Sequence, residues 1–207
     1  MSAIEKSSFK QGLIAAAEAV VASKDELTKA DQAIGDGDHG VGMARGFRAF
    51  ADALARLEGE DAASCLQAGG KALMMASGGA SGAIFGTFFL ASGKALQGGD
   101  VGVAPLAGAF AAGLQAVKDR GRAKAGDKTM IDAAEPAVEA LASRAGAPLS
   151  GALSAMAEAA RGGMEATRDM VATTGKARAL GERSLGHPDP GAMTFTIFCE
   201  ALATRMA

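Results

Sequence analysis

The sequence predicts an all-α protein, and three observations carry that prediction. Alanine, the best helix former, occurs 50 times in 207 residues, whereas Val, Ile and Thr together occur 23 times and Tyr and Trp not at all, so strand-stabilising side chains are scarce. Apolar residues recur at helical spacing along most of the chain. The 29 glycines, each costing about 1 kcal/mol inside a helix, gather in short runs between those stretches, where a backbone turns or meets a ligand.

Eight helices follow from the pattern. Phe9, Leu13, Ile14, Ala17, Val20 and Val21 define the first, with Ser7-Ser8 placed to cap it. A polar stretch, residues 23–33, then leads into an acidic loop. Met43, Phe47, Phe50, Leu54 and Leu57 mark the second helix, ended near Gly59. The third and fourth cover about 62–76 and 81–96, separated by the small-residue run 77–82. Pro105, favourable in a first turn, opens the fifth, to about Lys118. The sixth spans about 129–143, with Pro136 expected to kink it. Ser150 opens a long seventh, to about Thr173, interrupted at Gly162-Gly163, and 191–206 gives the eighth.

Short connections favour antiparallel neighbours, so the expected architecture is an eight-helix up-and-down bundle or closed barrel, with small Ala and Gly faces permitting close packing. The connections after helices one, three, five and seven then share one end. These are residues 31–40, 77–82, 121–128 and 175–190, which hold the acidic, glycine-rich and basic motifs. No Pro/Ser-rich or charge-blocked linker divides the chain, so residues 1–207 are expected to form a single domain.

Charge and hydropathy exclude several function classes. The formal net charge is -2 with both signs interspersed, which offers no footprint for nucleic acid and no basic face for a lipid surface. The segment from Met1 to Lys6 has no apolar signal core, and the most apolar stretch, 83–91, is far short of the roughly 20 residues that span a bilayer. A cytoplasmic location is expected. Cys65 and Cys199, each in an apolar helical context, read as buried thiols.

The first loop, Asp31-Gln32-Ala33-Ile34-Gly35-Asp36-Gly37-Asp38-His39-Gly40, is the most informative segment. Carboxylates about 4 Å apart repel by roughly 4 kcal/mol per pair at an effective dielectric near 20, so a fold that converges Asp31, Asp36 and Asp38 calls for a cation. Oxygen-only ligands suit Mg²⁺, which completes its octahedron with water and phosphate oxygens and so points to a phosphorylated ligand. Gly35, Gly37 and Gly40 satisfy G-x-G-x-x-G, but no strand or βαβ unit surrounds them, and an EF-hand fails because its twelfth position is Phe47. The bland alternative is a solvated Asp/Gly turn. His39 could touch a phosphate or serve only as a hydrogen-bonding residue.

In the second loop, free backbone N–H groups at a helix start form an anion site around Gly79 and Ala80, to which Ser77 or Ser81 can add a hydroxyl donor. No Walker A is present, because Lys71, Lys94 and Lys176 are each followed by Ala. The cations of 120–128 could flank a polyphosphate or form an ordinary solvated basic loop, and Met130 could line an adenine slot or pack in the core. The fourth loop, through Gly181-Glu182-Arg183-Ser184 to Asp189-Pro190-Gly191, has the length of a lid.

Together these segments resemble the nucleotide-binding L subunit of dihydroxyacetone kinases over nearly the whole chain. The specific parts are Gly35-Asp36-Gly37-Asp38-His39-Gly40, Gly78-Gly79-Ala80-Ser81-Gly82, Gly126-Asp127-Lys128-Thr129-Met130 and Gly181-Glu182-Arg183-Ser184 with Asp189-Pro190-Gly191. The resemblance implies an eight-helix barrel with Mg-ADP or Mg-ATP at one end, Asp31, Asp36 and Asp38 holding a pair of Mg²⁺ ions. His39, Gly40, Val41, Gly42, Ala80, Ser81, Gly121, Met130, Asp189, Pro190 and Gly191 would surround the nucleotide, joined by Ser77, Gly79, Thr129 and Lys176 of the same loops. It further implies a kinase subunit active only with a separate K subunit, which holds the ketose covalently while a phosphoryl group passes to its hydroxyl. The length and the sequence Asp36-Gly37-Asp38-His39-Gly40 look more like the bacterial type, whose bound ADP is rephosphorylated by a phosphohistidine carrier of the phosphotransferase system. Gly42 stands where relatives often have Asn and Lys176 where some have Arg. The alternatives are a tetrose kinase subunit of the erythrulose type that exchanges ATP, and a Mg-nucleotide regulatory module without turnover.

Overall fold

The computed structural model describes residues 3–59, 61–96 and 101–207, with side chains from residue 9 onward. Met1 and Ser2, part of the segment expected to lack a signal core, lie outside them. Among the described residues there are nine α-helices: α1 (Ala3–Ala22), α2 (Lys24–Ile34), α3 (His39–Arg56), α4 (Ala62–Ser77), α5 (Gly79–Ala95), α6 (Val103–Gly121), α7 (Met130–Ala142), α8 (Leu149–Ala166) and α9 (Pro190–Arg205). Two 3-10 segments, Thr167–Asp169 and Lys176–Ser184, lie between α8 and α9. No described helix is long and apolar enough to cross a membrane.

Eight of the nine helices close a ring: α1 packs on α3, each helix from α3 to α9 packs on the next, and α9 returns to α1. The expected eight-helix barrel is therefore present. The ninth element is α2, formed by the polar stretch read from the sequence as a lead-in to a loop. Its inward face consists of Leu27, Asp31 and Ile34, spaced four and three apart, and the polar residues between them point outward. The chain reaches α2 through Ser23, whose φ and ψ of -85° and 11° are near helical, and Leu27 N–H still donates to Ser23 O. The alternation of helix direction around the ring is thereby preserved.

Other differences have local causes. Ser7 and Ser8 lie inside α1 rather than capping it. α8 runs unbroken through Gly162-Gly163 and ends at Ala166 instead of continuing to Thr173, because Thr167 turns its hydroxyl onto Met164 O at 2.6 Å and a 3-10 turn follows. Gly163 is there for proximity: a Cβ would sit 3.0 Å from Ala133 Cα and 2.9 Å from Pro136 Cγ, so its absence lets α8 lie against the backbone of α7. Pro136 lies inside α7, as its position in the sequence indicated.

The ring is filled by aromatic packing. Phe47 of α3 meets Phe85 and Phe89 of α5 edge-on at centroid distances of 5.9 and 6.1 Å and Phe198 of α9 at 5.8 Å. Phe88 joins Phe110 and Phe195 at 5.4 Å each. Both cysteines are buried, and burial pushes the Cys199 thiol far up, so it stays protonated. Phe47 is fully buried and its ring meets two other helices, so Phe47→Ala should cost about 3–5 kcal/mol in urea unfolding. A loss under about 1 kcal/mol would mean that the ring collapses onto the gap.

Candidate functional site

Because the ring alternates, α3, α5, α7 and α9 all begin at one end, and a cleft of about 720 Å³ opens between their first turns. That volume suits a cofactor-sized ligand, for which roughly 300–1,000 Å³ is usual. Each helix N-terminus carries unpaired N–H groups and about half a positive charge. Four such termini around one cleft favour an anion.

The four are not equivalent. α7 and α9 are capped by side chains: Thr129 Oγ1 accepts from Ile131 N at 3.1 Å, and Asp189 Oδ2 accepts from Ala192 N at 2.7 Å. α3 and α5 begin at Asp38 and Gly78 with no side-chain cap. Apart from His39 N, which Asp31 takes, their first-turn amides have no side-chain partner, and the two termini are tied together. Ser77 Oγ donates to Gly42 O at 2.9 Å, and the Arg45 guanidinium donates to Ala76 O at 2.6 Å and to Ser77 O. Gly78 and Gly79, at φ of 71° and 64°, make the reversal from α4 into α5 that an L side chain would resist.

The carboxylates lie beside this uncapped pair. Asp31 is held on α2, while Asp36 and Asp38 stand on the loop 35–38, and one oxygen from each lies within 4.8 Å of the others. Asp31 Oδ2 also accepts from His39 N at 3.1 Å, fixing α2 to the start of α3. An all-oxygen set of three carboxylates fits a hard divalent cation. Lys176, in the 3-10 segment before α9, donates to Asp36 and, at 3.0 Å, to Asp38. This holds the Asp36 carboxyl below its ordinary range and the Lys176 ammonium above its own.

His39 is buried between α5 and α9, with Nδ1 3.1 Å from Ser81 Oγ and Nε2 2.8 Å from Thr194 Oγ1. Burial depresses its pKa against the opposing pull of Asp31 and Asp38.

The loop before α7 departs from the sequence reading. Lys128, read there as one cation of a basic loop flanking polyphosphate, is buried, and its ammonium donates to four backbone carbonyls: Thr167 at 2.6 Å, His187 at 2.7 Å, Ser184 at 2.8 Å and Met170 at 3.1 Å. All its donors are spent on the segment that leads to α9. Desolvation lowers its pKa. Asp132 closes the loop from below, accepting from Gly126 N at 2.6 Å and Thr129 N at 2.7 Å, while Asp127 accepts from Thr173 Oγ1 at 2.6 Å. Arg120, Arg122 and Lys124 are exposed.

The cleft is lined by Asp31, Asp36, Asp38, His39, Val41, Gly42, Ser77, Gly79, Ala80, Ser81, Thr129, Met130, Lys176, Asp189, Pro190 and Gly191, so the four loops bring together all but two of the residues singled out from the sequence. Gly40 instead packs on α2, where a Cβ would lie 2.5 Å from Thr28 N, and Gly121 is an exposed helix end whose nearest neighbour is Ile84 of the cleft wall. Met130 does both things weighed for it, being core-buried and on the wall. Sequence reading missed Thr194 and the clamping role of Lys128. A hydroxyl four residues after a first-turn proline was the available signal for Thr194, and none marked Lys128.

Asp189 is the remaining charged group on the wall, and dehydration raises its carboxyl from 3.8 to about 7 against the two backbone hydrogen bonds it accepts. Between those values the folded protein holds a proton that the unfolded chain has released. The group's contribution to stability is therefore full below about pH 4 and lost as pH climbs to about 7. Asp189→Asn keeps the capping oxygen without the charge, so its stability relative to the parent should rise between pH 5 and pH 8 in urea titrations. A constant difference would refute the dehydrated carboxyl.

Comparison with known proteins places this geometry. Residues 33–204 match the model of the DAK2 domain. The chain is 39% identical over 185 residues to the ADP-binding subunit DhaL of PEP-dependent dihydroxyacetone kinase 1 from Listeria innocua, covering 89% of each, and 39% identical over 180 residues to the Escherichia coli subunit of the same description, covering 86% of each. It is also 39% identical over 186 residues to the L-erythrulose 1-kinase of Mycolicibacterium smegmatis, covering 87% of this chain and 32% of that one. The crystal structure of the dihydroxyacetone kinase from C. freundii in complex with AMP-PNP and Mg2+ superposes with a TM-score of 0.76 at 30% identity, over 94% of this chain and 33% of that one. A family model covering most of the chain, and relatives matched over most of their own length, show that this chain belongs to the DAK2-domain family, with the DhaL subunits of dihydroxyacetone kinases among its relatives.

Proposed function

We propose that this chain is the Mg-nucleotide-binding subunit of a dihydroxyacetone or related short-ketose kinase, and that it passes a phosphoryl group to a ketose hydroxyl held on a separate K subunit. The observation that carries this reading is the juxtaposition of three carboxylates with the two uncapped helix N-termini of α3 and α5, a cation site directly beside an anion site. The Mg-AMP-PNP named for the C. freundii kinase and the ADP named for the Listeria and E. coli subunits support it.

In this reading Asp31, Asp36 and Asp38 would hold Mg²⁺, expected as a pair of ions, which would supply charge neutralisation for the phosphates. The amides of Val41, Ala80 and Ser81 would take the phosphates, while Met130 and Asp189 to Gly191 would line the base end, where Thr129 and Asp189 cap their own helices. Lys176 forms exposed, solvent-screened ion pairs, so a divalent ion held by Asp36 and Asp38 would compete with it and would leave it free to reach the phosphates. The chain's own residues need only align and neutralise; no covalent step on them is required. Relatives matched over most of their own length are named PEP-dependent, which supports a phosphohistidine carrier as phosphoryl source, whereas the erythrulose kinase match supports a tetrose as substrate. A cytoplasmic site of action goes with these partners.

The direct test is to denature the purified chain and analyse released nucleotide, then titrate it with Mg-ADP and Mg-ATP by calorimetry. Bound or binding nucleotide that requires Mg²⁺ is expected, and phosphoryl transfer on adding a K subunit, dihydroxyacetone and a phosphoryl source. No nucleotide under either condition would refute the reading. Asp36→Asn should weaken Mg-ADP binding at least tenfold, about 1.4 kcal/mol, in the same titration. Lys176→Met should act in opposite directions, tightening Mg²⁺ binding without nucleotide and weakening Mg-ADP. Two changes of the same sign would show that Lys176 does not alternate between metal ligands and phosphate.

A further inference from the structure

Thr194 lies in the second turn of α9, fully buried, and makes two contacts through one oxygen. Thr194 Oγ1 is 3.0 Å from Pro190 O and 2.8 Å from His39 Nε2. A hydroxyl has a single proton, and a carbonyl oxygen can only accept, so that proton goes to Pro190. The other contact must then run the opposite way, with Nε2–H donating to Thr194. A neutral ring protonated on Nε2 presents a lone pair on Nδ1, which faces Ser81 Oγ at 3.1 Å, so the Ser81 hydroxyl donates inward to His39.

We infer that Thr194 is a positioning residue which, by fixing the tautomer of His39, directs the Ser81 hydroxyl onto the imidazole and locks the first turn of α5 to the first turn of α9. This rests on the Mg-nucleotide reading for its functional sense and corrects an expectation from sequence. Ser81 is then left to meet the ligand through its backbone amide, its hydroxyl proton being committed to His39 Nδ1 rather than to phosphate. The chain Pro190–Thr194–His39–Ser81 joins the base end of the cleft to its phosphate end, since Pro190 and Ser81 both line it while the imidazole bridges them. A nucleotide then finds both ends at a fixed separation.

The test is ¹⁵N NMR of the histidine side chains at pH 7.5 together with Mg-ADP calorimetry, the two imidazoles being assigned with His187→Gln. In the parent His39 should be the neutral Nε2–H form. Thr194→Val, which keeps the shape and removes the hydroxyl, should populate the Nδ1–H form and weaken Mg-ADP about five- to twentyfold, the range expected for one buried hydrogen bond. Thr194→Ser should restore both. A parent ring protonated on Nδ1, or on both nitrogens, would overturn the inference without any variant, and so decides the matter even if Thr194→Val does not fold. A Thr194→Val protein with unchanged tautomer or unchanged affinity would overturn it as well. Loss of the nucleotide reading is distinguishable: it would appear as no Mg-ADP binding by the parent, whereas the tautomer change needs no nucleotide.

Discussion

The alternation of direction around a closed helical ring is the constraint from which the site follows. Eight helices that pack in chain order around a ring point up and down in turn, so four begin at the same end. Each beginning contributes about half a positive charge and a set of amides without intrahelical partners. That end of the barrel is thus electropositive through its backbone, before any side chain is considered. The acidic residues gathered there answer that field, and their mutual repulsion sets up the demand for a cation.

Capping divides the end into two halves with different chemistry. Where Thr129 and Asp189 turn their oxygens back onto their own helices, the first-turn amides are consumed and the wall is left to Met130, Pro190 and Gly191, suited to the flat apolar part of a ligand. Where α3 and α5 start bare, amides remain for an anion, and the carboxylates stand next to them. Lys176 supplies the countercharge to Asp36 and Asp38 from a separate segment of chain. Order along the cleft therefore arises from which helices are capped rather than from the identity of any one residue.

Much of this was legible in the sequence because it depends on counting. Helical period and glycine position gave the number and order of ring helices, and parity then grouped the four loops. α2 escaped because its buried face contains a carboxylate: with Asp31 standing between Leu27 and Ile34, only two large apolar residues remain in eleven, and the segment reads as polar loop. Lys128 escaped for a different reason. Its partners are backbone carbonyls of residues 39 to 59 positions away, which leave no side-chain trace and cannot be inferred from residue types. Thr194 is hidden likewise, its meaning lying in the direction of a proton. Gly162-Gly163 was read as a break when it marks close approach, two demands that both select glycine.

The clamp made by Lys128 also governs how the segment over the cleft can travel. An ammonium bonded to the carbonyls of Thr167, Met170, Ser184 and His187 cannot leave without stranding the two buried ones, Thr167 and Ser184, so both feet of the intervening stretch are nailed to the entrance of α7. What lies between them, with Gly175 and Gly181 at φ of 63° and 55°, is fastened again where Thr173 bonds to Asp127, so it forms a strap rather than a loose loop. The strap's free span carries Lys176 across to the acidic loop, so the segment that borders the cleft is tied to both of its sides.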